Sequence, residues 1–362
     1  MQTKVKLSKR VVSLATALVT GLSAVGAAGI PGGVFEILSA SAEDGHNYVN
    51  GFCTDEGCTS PYEPATEENG TYQIANAGNL YWFAEQVNDG ETTANAILTV
   101  DIVINDGDLS VYDGTSENSY RAWFPMGYYY DRDGDSKPED IYYEGSFDGN
   151  GHTISGIYFN NDAQSYVGLF GQIASSAEIK NVSVINSYFR GLYLCGAICG
   201  YNAGKIVNCS NTGLVTGAAK LSGICAENAK GTIENCYNAG KVIGPDTIEN
   251  KARQQMCYGG ICGRNTGSIK NSYNTGEILG IQQIAGVCGT NAGGSVENCY
   301  NTGDITVHYR YAGGVVGATQ GTVENCYSTG NIIETKKWVG VDTGYIGTEM
   351  WIGGAIGNNS SY

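Results

Sequence analysis

The sequence predicts an all-β chain folded as a parallel β-helix, with about 27 residues in each three-strand coil. Three observations predict it. An Ile/Val-x-Asn unit recurs with its asparagine at 181, 208, 235, 271, 298 and 325, at spacings of 27, 27, 36, 27 and 27 residues. Each copy holds three short strand-like pieces separated by Gly, Asn and Thr turn residues. No copy carries a 3.6-residue apolar period long enough for a helix. A unit of this length buries no core by itself, whereas stacked units pair at roughly 4.8 Å per coil. A β-propeller fits less well, since each blade needs about 40 residues and four strands.

Each coil opens on a Gly-flanked apolar unit: GLFG at Gly168, GAICG at Gly196, GICA at Gly223, GGICG at Gly259, GVCG at Gly286, GGVVG at Gly313 and GGAIG at Gly353. The asparagine unit follows about ten residues later, as IKNV, IVNC, IENC, IKNS, VENC and VENC. Ile206, Ile233, Ile269, Val296 and Val323 align as one apolar column. The third piece supplies a second column, Val215, Val242, Ile278, Ile305 and Ile332. These β-branched residues suit a buried pleated surface. Asn181, Asn208, Asn235, Asn271, Asn298 and Asn325 are expected to form a ladder at a bend, each amide bonding to a neighbouring coil. Glu234, Glu297 and Glu324, beside that column, are expected to face water, with Lys270 and Val207 breaking the stripe.

Cysteine fills two further columns, Cys199, Cys225, Cys262 and Cys288, then Cys209, Cys236, Cys299 and Cys326. Phe170, Val316 and Ile356 stand in the first column, and Val182 and Ser272 in the second. A metal ligand does not tolerate those exchanges, and the chain has no C-x-x-C pair. Free thiols acting as small apolar fillers are expected there, with disulfides between adjacent coils as the alternative. Parallel stacking keeps Cβ atoms roughly 4.8 Å apart against a preferred separation of about 3.8 Å, which favours the thiols. Cys53 and Cys58 lie outside the stack and are candidates for a disulfide.

The chain begins with Lys4, Lys6, Lys9 and Arg10, then a small apolar run and the triplet Ala40-Ser41-Ala42. That order reads as a secretory signal peptide at residues 1–42, cut after about Ala42, leaving no integral membrane segment. Residues 43–70 read as an N-terminal loop segment, 71–165 as entry or capping coils, and 166–362 as the repeats. The last copy is incomplete, which reads as an unusual cap or as truncation. Cleavage leaves 16 basic and 35 acidic residues, a net charge of −19, which disfavours nucleic acid as a partner.

GLFG at 168–171, with the GGICG and ENCYNTG units, resembles the GLUG-motif repeats of bacterial surface and secreted proteins, which also occur beside IgA-specific metallopeptidase domains. LYWFAEQVN (80–88), ILTVDIVI (97–104) and FDGNGHTISGIYF (147–159) are similar to the segments that precede such repeats and form the entry coils of a β-helix. The resemblance covers about Tyr72 to Tyr362. It implies a right-handed parallel β-helix at the cell surface, often associated with adhesion, and contributes no catalytic residues.

Motifs for chemistry are sparse. The histidines are His46, His152 and His308, and neither H-E-x-x-H nor G-x-S-x-G occurs. His152 reads as a turn residue and His308 as a surface one. Asp131, Asp133, Asp135, Glu139 and Asp140 form an acidic loop that could take calcium, although it departs from the EF-hand pattern. No other cofactor is implied.

Two coils are long. Their extra residues fall at about Pro245–Met256 and Thr335–Met350, after the third strand piece. Insertions at one point of a coil emerge on one edge of a solenoid. Lys251 and Arg253 in the first, with Lys336, Lys337, Trp338, Tyr345 and nearby Trp351 in the second, suggest a recognition edge for a host or microbial surface glycan or protein. The expectation is a non-catalytic, adhesin-like binder. A carbohydrate-active enzyme on the same fold, or a structural stalk, is the alternative.

Overall fold

A computed structural model describes residues 46–112, 120–130, 139–245, 256–335 and 352–359. The chain is a parallel β-solenoid of about nine stacked coils. Each repeat coil visits four sheets. The opening unit forms one (Cys199–Asn202, then Cys225–Asn228 and onward) and the Ile/Val-x-Asn unit a second (Lys205–Val207, Thr232–Glu234). A third sheet holds two-residue strands such as Ser210–Asn211 and Tyr237–Asn238, and a fourth holds long strands such as Tyr188–Gly196 and Leu214–Ser222. The third sheet adds a strand to the three expected per coil. Two residues carry no readable alternation, which is why periodicity misses it.

The register follows the sequence columns. Phe147, Ile179, Ile206, Ile233, Ile269 and Val296 stack in the second sheet, all fully buried. Phe189, Val215, Val242, Ile278 and Ile305 do the same in the long sheet. On the outer face of the second sheet Glu234, Lys270 and Glu297 align, and Lys270 lies 3.6 Å from Glu297. That arrangement is a solvated charge stripe.

The column Asn181 to Asn325 sits at the corner between the second and third sheets, with φ between 50° and 55°. A left-handed bend disfavours residues with a Cβ, but asparagine tolerates it. Amide bonds link Asn208 to Asn181 (3.0 Å), Asn298 to Asn271 (3.2 Å) and Asn325 to Asn298 (3.2 Å). Asn271 also reaches Glu234 at 3.5 Å. From Asn208 onward this column is exposed.

The buried ladders are two other columns. In the opening sheet each Nδ2 donates to the next Oδ1, from Asn202 to Asn228, Asn265 and Asn291, at 2.8, 2.8 and 2.9 Å, and Asn291 donates to Thr319. In the third sheet the series is Asn211, Asn238, Asn274 and Asn301, at 2.9, 2.8 and 2.8 Å, ending on Ser328. All eight asparagines are fully buried. Their amides also bond the glycine two or three residues on, for example Asn238 to the Gly240 carbonyl at 2.8 Å. Both ladders rest on aliphatic residues of earlier coils, Ile173 below Asn202 and Val184 below Asn211. These two columns thus change from aliphatic to amide after the first copy of the repeat, while the apolar columns continue.

At the N-terminal end, residues 80–88 are helical where the resemblance implied an entry coil. The helix spans Ala77–Asn88, capped by Asn76, whose Oδ1 accepts from Asn79 N at 2.8 Å. Leu80, Phe83, Ala84 and Val87 make its buried stripe, a helical spacing that also reads as a short apolar run. An antiparallel hairpin, Thr66–Glu68 with Thr71–Ile74, closes the second sheet beside it. Its outer strand is fully exposed and carries Glu67 and Glu68, a charged edge that discourages further pairing. Among the described residues no helix is long and apolar enough to cross a membrane.

His308 is buried, at 5% exposure, rather than on the surface. In the long sheet Gly280 pairs with Val307 and Gln282 with Arg310, so the later strand carries one extra residue at a bulge. The bulge turns His308 inward, where its Nδ1 bonds the Thr335 hydroxyl.

Candidate functional site

The long sheet is where the repeat departs from regularity. Tyr188–Gly196 and Leu214–Ser222 are continuous nine-residue strands. In the next coil the strand is split into Val242–Ile243 and Tyr258–Gly259. Pairing runs to Thr216↔Ile243 and resumes at Leu221↔Tyr258. Pro245 and Met256 stand on either side of this gap. Tyr258 fills the space beneath: its ring lies over Gly244 and Gly280, where a Cβ would come within 2.8 and 2.5 Å of it. Its hydroxyl donates to Ala218 O at 2.9 Å, supplying the bond an unbroken strand would make. The second insert breaks the same sheet, since Ile332–Glu334 and Ile352–Gly353 both pair with Ile305–Gly313.

Outside the gap lies a cleft of about 570 Å³. Tyr112, Tyr188, Leu214, Ile243 and the buried Met256 form its apolar lining together with Gly191 and Gly217, and Arg190, Asp162 and Pro245 line it as well. Tyr112 is presented by a short turn, Leu109–Val111, whose Asp108 accepts from Ser110 N at 2.9 Å. The Tyr112 and Tyr188 rings meet edge to face at 4.9 Å, and Tyr158 stacks on Tyr188 at 5.9 Å. With Leu109 and Leu214 they form an apolar cluster separate from the solenoid core. Burial raises the Tyr188 phenol above its ordinary range, keeping it neutral. Arg190 and Asp162 pair at 3.2 Å and both remain exposed. The cleft thus sets the half-buried Tyr112 ring, held by the buried Tyr188 behind it, beside a guanidinium and a carboxylate, groups that can contact a sugar ring and bond hydroxyls.

A second aromatic array is not a comparable platform. Tyr237, Tyr273, Tyr300 and Tyr327 stack face to face at 5.3, 4.8 and 5.3 Å, with interplanar angles of 7°, 2° and 7°. Their faces cover one another, so the stack presents ring edges along most of its length.

The residues expected to bind are placed as follows. Lys251, Arg253, Lys336, Lys337, Trp338, Tyr345 and Trp351 lie outside the described residues, as do Asp131, Asp133 and Asp135 of the acidic loop and the signal segment 1–42. Glu139 and Asp140 stand in a strand paired with Tyr130 and Tyr129, and Asp140 accepts from Gln172 at 3.4 Å. His152 lies 3.3 Å from Asp101, whose carboxylate also takes the Thr153 N–H. Sequence reasoning missed the cleft because Tyr112, Tyr158 and Tyr188 are distant in the chain and belong to no repeated motif.

All twelve cysteines are unpaired. Cys199, Cys225, Cys262 and Cys288 are in register and fully buried, with Val316 and Ile356 continuing the column. In the second column sulfur also bonds. Cys236 Sγ donates to Glu234 O at 3.2 Å and accepts from Cys209 N at 3.4 Å, and Ser272 makes the equivalent pair at 2.7 and 3.1 Å. Serine is therefore a functional replacement there. Cys326 ends the column and is half-buried. Its bond to Cys299 pushes its thiol down to about 7. Brief iodoacetamide treatment of the native protein should therefore label Cys326, leaving the buried columns unmodified until unfolding. Peptide mass spectrometry reads this directly, and equal labelling of Cys262 would contradict the packing.

The GLUG motif matches at residues 254–279, 280–306 and 308–333. This chain carries GLUG repeats. The chain is similar to other proteins over short lengths. One is halomucin of Haloquadratum walsbyi, 34% identical over 86 residues, or 24% of this chain and 1% of halomucin. Another is a candidate Gly-rich membrane protein of Evansella cellulosilytica, 37% identical over 71 residues, or 19% of this chain and 8% of that one. The chain thus matches only a small part of either relative. Among solved structures, a candidate immunoglobulin A1 protease from Bacteroides ovatus superposes with a TM-score of 0.54 at 22% identity, covering 82% of this chain and 86% of that one. At that identity the likeness is one of fold.

Proposed function

We propose that the GLUG solenoid is a non-catalytic, adhesin-like binding module, exported through its N-terminal signal to the cell surface or medium. It takes a glycan in the cleft of the long sheet. The observation that carries this reading is the Tyr112–Tyr188 wall set against the Arg190–Asp162 pair beside the first insert. A pyranose ring stacks its C–H face on tyrosine while its hydroxyls bond the charged pair. A short stretch in common with a candidate Gly-rich membrane protein agrees with a location at the cell surface. The acidic body argues against nucleic acid. A protein ligand inserting an aromatic or basic side chain is the second reading, since the same wall would hold it.

Glycan-array screening followed by titration of the best ligand tests the proposal. Tyr188→Ala and Arg190→Ala should each weaken binding by about tenfold or more, the loss expected of an anchor residue. Both variants should keep the wild-type circular dichroism spectrum. Unchanged affinity in folded variants would remove the cleft from consideration.

A further inference from the structure

The N-terminal segment brings four ligand-type side chains together outside the solenoid. Tyr48–Val49 and Phe52–Cys53 form an antiparallel hairpin, joined by Asn50-Gly51 with φ of 50° and 77°, the tight turn that this dipeptide favours. Its register carries His46 back alongside Asp55. A second turn, closed by Cys58 N on Asp55 O at 3.3 Å, brings Cys58 to the same point. His46 Nδ1 lies 3.2 Å from Cys58 Sγ, 3.6 Å from Cys53 Sγ and 3.8 Å from Asp55 Oδ2. The donor atoms of His46, Cys53 and Cys58 all fall within 4.8 Å of one another.

We propose that His46, Cys53 and Cys58 bind a zinc ion, with Asp55 or a water as the fourth ligand. Tetrahedral zinc with bonds of about 2.3 Å to sulfur and 2.05 Å to nitrogen has S···N edges of about 3.6 Å and an S···S edge of about 3.8 Å. The two observed S···N distances lie close to that figure. A disulfide engages the two sulfurs alone and gives no role to the converging imidazole and carboxylate. Asp55 is already oriented, its oxygens accepting from Asn47 N and Asn47 Nδ2 at 2.9 Å each, as outer partners orient a metal ligand. The hairpin is firmly seated. Phe52 packs between Tyr62 and Tyr81 under the Arg121 guanidinium, and Asn50 bonds Val103 O at 2.8 Å. The ion would staple the 53–58 loop, which has little apolar packing of its own, to the capped end of the solenoid. The other ten cysteines are packed as thiols, so the fold is built on reduced sulfur.

The test is titration of the reduced full chain with Zn²⁺, and with Co²⁺ as a spectroscopic probe. One equivalent should bind, with the visible bands of tetrahedral cobalt and a thiolate charge-transfer band. X-ray absorption should give two sulfur and two nitrogen or oxygen neighbours. The Cys53→Ser, Cys58→Ser double variant should bind none of this equivalent, and His46→Ala should weaken it by about tenfold or more. Both changes lie outside the solenoid, so its circular dichroism should stay unchanged. A reduced chain that takes up no metal overturns the proposal. Equal uptake by the double variant also overturns it, because the column thiols would then be the ligands.

Discussion

Replacing Asn238 with leucine should destabilise the solenoid by about 4 kcal/mol, although the side chains are similar in size. Four groups lose a bond: one Asn211 amide hydrogen, Asn274 Oδ1, the Gly240 carbonyl and the Gly240 N–H, the last keeping its bond to Asn211 O. Each unsatisfied group costs about 1–3 kcal/mol. Asn211→Val should cost less, because Asn211 is the terminal rung and already rests on Val184. Asn235→Ala, on the exposed corner, should cost about 1 kcal/mol, chiefly the left-handed φ of 53°. Urea unfolding monitored by hydrogen exchange checks the order and shows whether the loss is confined to neighbouring coils, as a one-dimensional stack requires. Equal losses at 235 and 238 would contradict the ladder account.

The second large effect concerns the glycines that face those ladders. A Cβ at Gly276 would stand 2.0 Å from Gly240 O, and the same approach recurs from Gly303 to Gly276 and from Gly330 to Gly303. The obstacle is backbone, so relief requires separating two coils and breaking the bonds between them. Gly276→Ala is expected to cost about 3 kcal/mol or more. Gly293 is the control. Its φ is +93° but nothing lies within 4 Å of its would-be Cβ, so Gly293→Ala should cost about 1 kcal/mol of backbone strain. Chemical denaturation of both variants separates steric exclusion from conformational preference. A Gly276 variant as stable as the Gly293 one would show that the coils are less tightly stacked than described.

The fold was legible because the repeat puts like residues in register. The apolar columns at Ile233 and Val242 and the outward Glu234–Lys270–Glu297 stripe all follow from spacing alone. The asparagine columns divide more sharply. The one that sequence reasoning selected, at 235, owes its asparagine first to a left-handed corner. The two buried ladders, at 228 and 238, recur with the same period and were equally visible. Choosing between them needed burial, which spacing does not supply. The helix at Ala77–Asn88 was hidden because its stripe also fits a short apolar run. The cleft was illegible for another reason: its tyrosines come from separate coils and a loop, and only the stacking of coils brings them together. The break in the period after Ile243 falls in the sheet that carries the cleft.

The claim that matters most is that recognition belongs to the irregular part of the long sheet and not to the repeated faces. Hydrogen–deuterium exchange with and without saturating ligand tests it most directly. The account predicts slowed exchange at residues 188–192, 214–218 and 243–245, with the Glu234–Lys270–Glu297 face unchanged. Protection confined to that charged face, with none around Tyr188 and Arg190, would contradict it.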